Sequence, residues 1–250
     1  MSTSLTGFDW DLLKRVSRSF YLTLRLLPTE VQEPIALGYL VARLSDTQAD
    51  GAESPAEQEL LQRESECLKW LAQSPDREAI ERVWSRIREG QAFDGERFAE
   101  VGAPPLTREE LDRYTYLVAG CVGEFWTEIC LAKLRGYSSV SEKDLHEWGV
   151  KFGKGLQLVN ILRDRPRDAK KGRVYVPEAE VAEVFRLARE HLEAAERYTQ
   201  SLHWKRARAA CALPLLMAKA TLDLVETVPG SAAKIPRREV YWLLLRSLFY

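Results

Sequence analysis

From Thr107 to Gly136 the apolar and aromatic side chains fall at positions 111, 114, 118, 121, 122, 125 and 129. This three-four spacing predicts a helix with one buried face. Thr107-Arg108-Glu109-Glu110 is a capping box that opens it, and Gly136 supplies a natural C-cap. The rest of the chain has the same character. Residues 8–27 run without a breaker to Pro28, and a second helix is expected over 29–50, closed by Gly51, with Pro34 tolerated near its first turn. Ser54-Pro55-Ala56-Glu57 reads as another capping box, opening a helix to about Gln73. Ser74-Pro75 opens a fourth that stops at Gly90, and Gly95, Gly102, Pro104 and Pro105 make 91–106 a loop. A long helix from Ser141 to about Lys171 ends at Gly172. Further helices cover 178–203, 205–228 and 237–249, with Pro229-Gly230 before the last. No alternating strand pattern and no repeat appears. The expectation is one all-α domain over 1–250.

Lys plus Arg total 36 and Asp plus Glu total 37, so the chain is nearly neutral and lacks the unbalanced basic surface of a nucleic-acid binder. Cys67, Cys121, Cys130 and Cys211 form no CxxC pair and read as buried free thiols in a reducing, cytoplasmic setting. No stretch approaches the ~20 apolar residues of a membrane span, and the start does not read as a signal peptide. The apolar YWLLLRSLFY at 241–250 is expected to pack on the core, or else to touch a membrane surface peripherally.

Two acidic pairs carry the chemistry. Asp46 and Asp50 end an otherwise apolar helix, four residues apart and so on one face. Like charges at that spacing repel, and a cation between them removes the cost. Hard oxygen ligands suit magnesium, which is commonly shared with substrate phosphates. One such pair also describes a solvated acidic face. Asp164 and Asp168 repeat the spacing, and Gln157 and Asn160 continue their face on a helix that also carries Leu156, Leu158, Val159, Ile161 and Leu162. Two pairs ending apolar helices can face each other across a cavity and hold several magnesium ions. Arg18, Arg43, Arg163 and Arg173 flank them, the cations that a departing diphosphate needs. Lys170 and Lys171 lie nearby but read better as complements to the helix dipole. His146, His191 and His203 form no ligand pair and read as surface or capping residues. No GxGxxG or GxxxxGK[ST] motif points to a nucleotide fold.

These residues together resemble the squalene and phytoene synthase family. The matching stretches are Ser17-Arg18-Ser19-Phe20, Tyr39 to Arg43 with Asp46 to Asp50, Tyr114 to Gly123, and Gln157 to Asp168 followed by Gly172-Arg173-Val174-Tyr175-Val176-Pro177. In order and at plausible spacing they cover nearly the whole chain. The resemblance implies the helical isoprenoid synthase fold with a central cavity. By that analogy Asp46, Asp50, Asp164 and Asp168 hold magnesium with Asn160 nearby, and Arg18, Arg43 and Arg163 bind diphosphate. Tyr39, Tyr114, Val118 and Gln157 line the cavity, Ser19, Phe20 and Arg173 are further substrate contacts, and Tyr114 is a candidate proton relay.

The implied reaction joins two prenyl diphosphates head to head. One ionises, the second attacks through its double bond, and proton loss gives a cyclopropylcarbinyl diphosphate. A second ionisation then rearranges this to the C1–C1′ product. A squalene-type enzyme quenches the last cation with hydride from NADPH, whereas phytoene and dehydrosqualene synthases lose a proton. Two farnesyl diphosphates are the expected substrates, geranylgeranyl diphosphate the alternative, and a non-catalytic assembly factor the third reading. Two departures stand out. Arg167 replaces a usual acidic residue, and Pro166 should kink or end its helix. The chain is also short between Pro177 and about Phe185 and beyond the last helix, where the closing wall of the cavity and any NADPH contact would lie.

Overall fold

The computed structural model describes residues 7–17, 20–100, 102–228 and 235–250, apart from the side chain of Asp50. Twelve α-helices are found among them: α1 Trp10–Ser17, α2 Phe20–Leu26, α3 Thr29–Asp50, α4 Pro55–Gln62, α5 Glu64–Gln73, α6 Arg77–Arg97, α7 Arg108–Thr115, α8 Cys121–Lys133, α9 Glu142–Lys170, α10 Val181–Gln200, α11 Lys205–Thr227 and α12 Arg237–Ser247. The only sheet-like pairing among the described residues is one antiparallel bridge, Ser138 to Leu202. The all-α reading holds.

Helix α9 is the centre of the bundle, and α7, α8, α10 and α11 pack against it. The close approach of α8 is made by glycines. A methyl group on Gly123 would lie 1.9 Å from the Gly149 carbonyl oxygen, and one on Gly153 would lie 2.0 Å from that of Ala119. Between α7 and α8 the helix widens to a π-turn at Tyr116–Gly120. Such wide turns often accompany functional sites.

The Thr107 box is present in full: its hydroxyl accepts from the Glu110 N–H, and Glu110 accepts from the Thr107 N–H. Ser54 also caps its helix, but Glu57 reaches the Glu53 N–H instead of completing a box, and Arg63 divides the expected 54–73 helix into α4 and α5. Helix α6 does not stop at Gly90 but runs to Arg97. Gly90 is there for space, since a β-carbon would lie 2.6 Å from Val118. Pro166 does not end α9, which continues to Lys170 before Gly172 closes it at φ +78°. The expected 8–27 helix is two, α1 and α2, with 18–19 outside the described residues. His191 is buried, against the expectation of a surface residue, because it sits on the inner face of α10 against Gly155 of α9. All four cysteines are buried free thiols.

Candidate active site

A cavity of about 590 Å³ runs down the bundle between α2, α3, α6, α7, α8, α9 and α11. Its polarity follows the helices. On α9 the lining passes from Asn160 and Gln157 through Leu156 and Phe152 to Gly149. That is about 16 Å of helix, from amide groups to a greasy end. On the opposite wall it passes from Tyr114 through Val118 and Val122 to Trp126, and Tyr198 and Cys211 close the apolar floor.

The polar end gathers most of the residues singled out from the sequence. Phe20, Tyr39, Arg43, Asp46, Tyr114, Val118, Gln157, Asn160 and Arg173 all line this one cavity. Phe20 stacks on Tyr39 with centroids 5.0 Å apart. Arg43 is held from behind by buried Glu57, which accepts from its Nη2, while Nη1 lies 3.9 Å from Asp46 Oδ2. Burial alone would push the Glu57 carboxyl up. The Glu53 N–H, the Arg43 charge and the Ser54 contact outweigh it and hold Glu57 below the usual carboxylate range. The buried Nε of Arg43 has no hydrogen-bond partner.

The structure does not bring the second acidic pair into the lining. Asp164 is buried outside it, and its carboxylate takes two hydrogen bonds from Arg163, at 2.9 and 2.6 Å, and one from Arg167 at 3.1 Å. Arg163, expected on diphosphate, therefore faces its own neighbour. Asp168 is half-buried at the end of α9, 3.6 Å from the Arg167 Nε. Burial raises its pKa and Asp164 adds to the rise, against Arg167 and Arg173. Arg18 and Ser19 lie outside the described residues. Asp50 is the last residue of α3, its side chain likewise not described. Among the described residues no three acidic, histidine or cysteine side chains converge as a ready cation cage.

Two site residues were missed because 91–106 read as a loop. Gln91 and Asp94 both line the cavity from the last turns of α6. Gln91 donates to Asp46 Oδ1 and to the Ser45 hydroxyl. Asp94 is buried and accepts from the Tyr175 hydroxyl at 2.6 Å, with Arg173 Nη1 3.4 Å away. Tyr175 in turn stacks on Tyr114, centroids 5.2 Å apart. Burial, then Asp94, pushes the Tyr114 hydroxyl well above its ordinary range, so it stays protonated. The recoverable signal was the spacing of Gln91 and Asp94, which continues the face of Ile87.

The donors at the polar end are hard oxygens and cations. A magnesium ion shared with phosphates needs only one or two carboxylates from the protein, so Asp46 with Asn160 fits that ion, with Asp50 and Asp168 within the same two helix ends.

The squalene/phytoene synthase family model matches residues 13–185 and 179–246. The chain is 32% identical over 253 residues to a phytoene synthase of Thermus thermophilus, spanning 86% of this chain and 82% of that protein. It is 27% identical over 299 residues to the squalene synthase of Eremothecium gossypii, spanning 95% and 67%. The fold is similar to that of a dehydrosqualene synthase solved in complex with ligand, with a TM-score of 0.70, 21% identity, and 96% and 94% of the two chains covered.

Proposed function

The chain belongs to the squalene/phytoene synthase family, the head-to-head prenyl synthases, and from that premise we propose that it joins two farnesyl diphosphates through C1 and C1′ to a C30 hydrocarbon. One observation carries the reading. A single cavity has Asp46 from one acidic helix end, Asn160 and Gln157 from the other, and Arg43 and Arg173 at its polar end, and runs into an apolar floor. A diphosphate with a long hydrocarbon tail matches that gradient.

Asp46, Asp50, Asn160 and Asp168 would hold magnesium, with Asp164 released from Arg163. When bound, the metal supplies charge neutralisation to the departing diphosphate. Arg43, braced by Glu57, and Arg173, braced by Asp94, bind the diphosphate oxygens. Val118, Val122, Phe152 and Leu156 exclude water, so a carbocation survives long enough to be attacked by the second double bond. Tyr114, neutral and stacked on Tyr175, whose hydroxyl donates to Asp94, would be the proton relay. Trp126, Phe152 and Tyr198 line the apolar end, where the hydrocarbon tail would lie.

A second reading is phytoene synthesis from two geranylgeranyl diphosphates, favoured by the similarity to the Thermus thermophilus phytoene synthase. Incubation of the purified protein with magnesium and each prenyl diphosphate, with and without NADPH, decides between them. Squalene with NADPH, or dehydrosqualene without it, supports the first reading; phytoene from the C20 donor supports the second. Asp46→Asn and Asp164→Asn should each lower diphosphate release at least 100-fold. No release from any donor, or wild-type rates in Asp164→Asn, would contradict the assignment.

A further inference from the structure

Helix α12 is apolar on two sides, and only one of them is covered. Leu243 and Ser247 are buried, with Leu244 partly so, against Leu213, Leu216 and Met217 of α11 and Leu22 and Leu26 of α2. The Tyr250 hydroxyl ties the end of this segment to Glu196 at 2.7 Å. The docked face is thus fixed. The other face shows Tyr241 at 64% exposure, Trp242 at 61%, Leu245 at 59%, Leu248 at 52% and Phe249 at 89%. Tyr241, Trp242 and Leu245 share one side of α12 at 100° per residue, and Leu248 and Phe249 follow in the turn just beyond its last residue, Ser247. Large side chains gathered this way do not occur singly by chance on a surface and mark an interaction site.

The surroundings of the stripe identify what it meets. Arg237, Arg238 and Arg246 lie on or beside it against one acidic residue, Glu239, and the Arg246 guanidinium covers the Trp242 ring at 5.9 Å. Tyrosine and tryptophan prefer the membrane–water boundary, and arginines flanking them meet anionic headgroups. A helix with an aromatic-aliphatic stripe and a basic margin lies in the plane of that boundary. The position of α12 agrees. It packs on the outer side of α11, while Ala210, Cys211 and Pro214 of that helix line the apolar part of the cavity. One helix thickness therefore separates the exposed stripe from the chamber.

We infer that Tyr241, Trp242, Leu245, Leu248 and Phe249 seat the protein on an anionic lipid surface, with Arg237, Arg238 and Arg246 at the headgroups. The seat itself stands on the surface alone. That it serves delivery of hydrocarbon between cavity and bilayer rests on the proposed reaction.

The test is flotation of the full chain with phosphatidylcholine vesicles with and without phosphatidylglycerol. The wild-type protein should float with the anionic vesicles. Trp242→Ala/Phe249→Ala should weaken binding at least about tenfold. Arg237→Gln/Arg238→Gln should weaken it by about fivefold per arginine at low salt, with the difference vanishing at high salt. Both variants should release diphosphate from detergent-dispersed substrate at the wild-type rate, because neither alters the cavity. Wild-type protein that stays off both vesicles, or a Trp242/Phe249 variant that floats equally well, overturns the inference. So does a wild-type dimer in light scattering that the same variant turns into monomer, since a second copy then covers the stripe. Flotation without diphosphate release from any donor would remove the proposed reaction and leave the lipid seat standing.

Discussion

Adding a single methyl group at Gly153 tests how the chamber is built. Its β-carbon would sit 2.0 Å from the carbonyl oxygen of Ala119 and 2.6 Å from the carbonyl carbon, whereas ordinary contact begins at 3.4 Å. Both obstacles are backbone of the π-turn and cannot swing aside as a side chain would. Helix α9 must therefore part from the α7–α8 segment by about 1 Å or more, and overpacking of this kind costs about 1–3 kcal/mol. Alanine gains about 1 kcal/mol over glycine inside a helix. The backbone clash places the first figure at its upper end, so Gly153→Ala should lose about 1–2 kcal/mol. In urea unfolding the midpoint should fall with an unchanged slope, and the melting temperature should drop by about 2–4 °C for each kcal/mol. Gly95→Ala is the control: nothing lies within 4 Å of its added methyl group, and it should gain up to about 1 kcal/mol. Gly123, Gly149 and Gly153 all line the cavity, so Gly153→Ala should also raise KM for the prenyl donor. A Gly153→Ala protein as stable as the wild type, or more stable, would show that these helices are not in the contact described.

Two further outcomes follow from buried charge. Glu57→Gln removes the brace behind Arg43; it should cost about 1–3 kcal/mol at pH 7 and lower kcat/KM about tenfold by leaving Arg43 unfixed. Because the folded Glu57 carboxyl sits below its ordinary value of 4.5, its stabilisation is complete above pH 4.5 and is lost as the pH falls through the depressed value. The difference between wild type and variant in urea midpoints should therefore shrink in acid. Burial, reinforced by Lys154, pushes the His191 imidazole down from 6.5 to about 4. Between those values the unfolded chain takes up a proton that the folded one refuses, so stability is full above pH 6.5 and falls as the pH drops towards 4, by up to about 3 kcal/mol. His191→Phe should flatten that part of the urea-midpoint profile; an unchanged profile would mean that the ring titrates freely.

The helices were legible where local chemistry decided them. Thr107 and Ser141 each accept a hydrogen bond from the backbone N–H three residues on, and Gly51 and Gly172 adopt positive φ at helix ends. The errors came where packing overrode local signals. Gly90 looks like a stop from sequence, yet it sits inside α6, where an added β-carbon would lie 2.6 Å from the Val118 side chain; the glycine serves that close approach, and α6 runs on to carry Gln91 and Asp94 into the cavity. Pro166 looks like a break, yet its last turn closes through Gly172, whose N–H bonds the Ala169 carbonyl at 3.0 Å. The five-residue widening at 116–120 has no propensity signature, because Tyr116 to Gly120 would continue an α-helix equally well in isolation.

At the site, sequence spacing identified which residues share a helix face but not which neighbour each charge would choose. Asp46 points into the chamber because α3 is flanked there by α6, whose Gln91 reaches it. Asp164 lies on the helix face expected of it, but Arg163 and Arg167 on the same helix reach its oxygens first. Buried carboxylates without a cation partner are costly, so a pairing with arginine is what an electrostatically balanced α9 requires. The same balance lets the pairing exchange. On the proposed reaction, Arg163 would turn to the anionic oxygens of a diphosphate and Asp164 to a divalent cation, so that neither would be left bare. In the structure as it stands, Arg163 and Arg167 neutralise Asp164 within α9, and the proposed metal binding would require that pairing to be exchanged rather than simply broken.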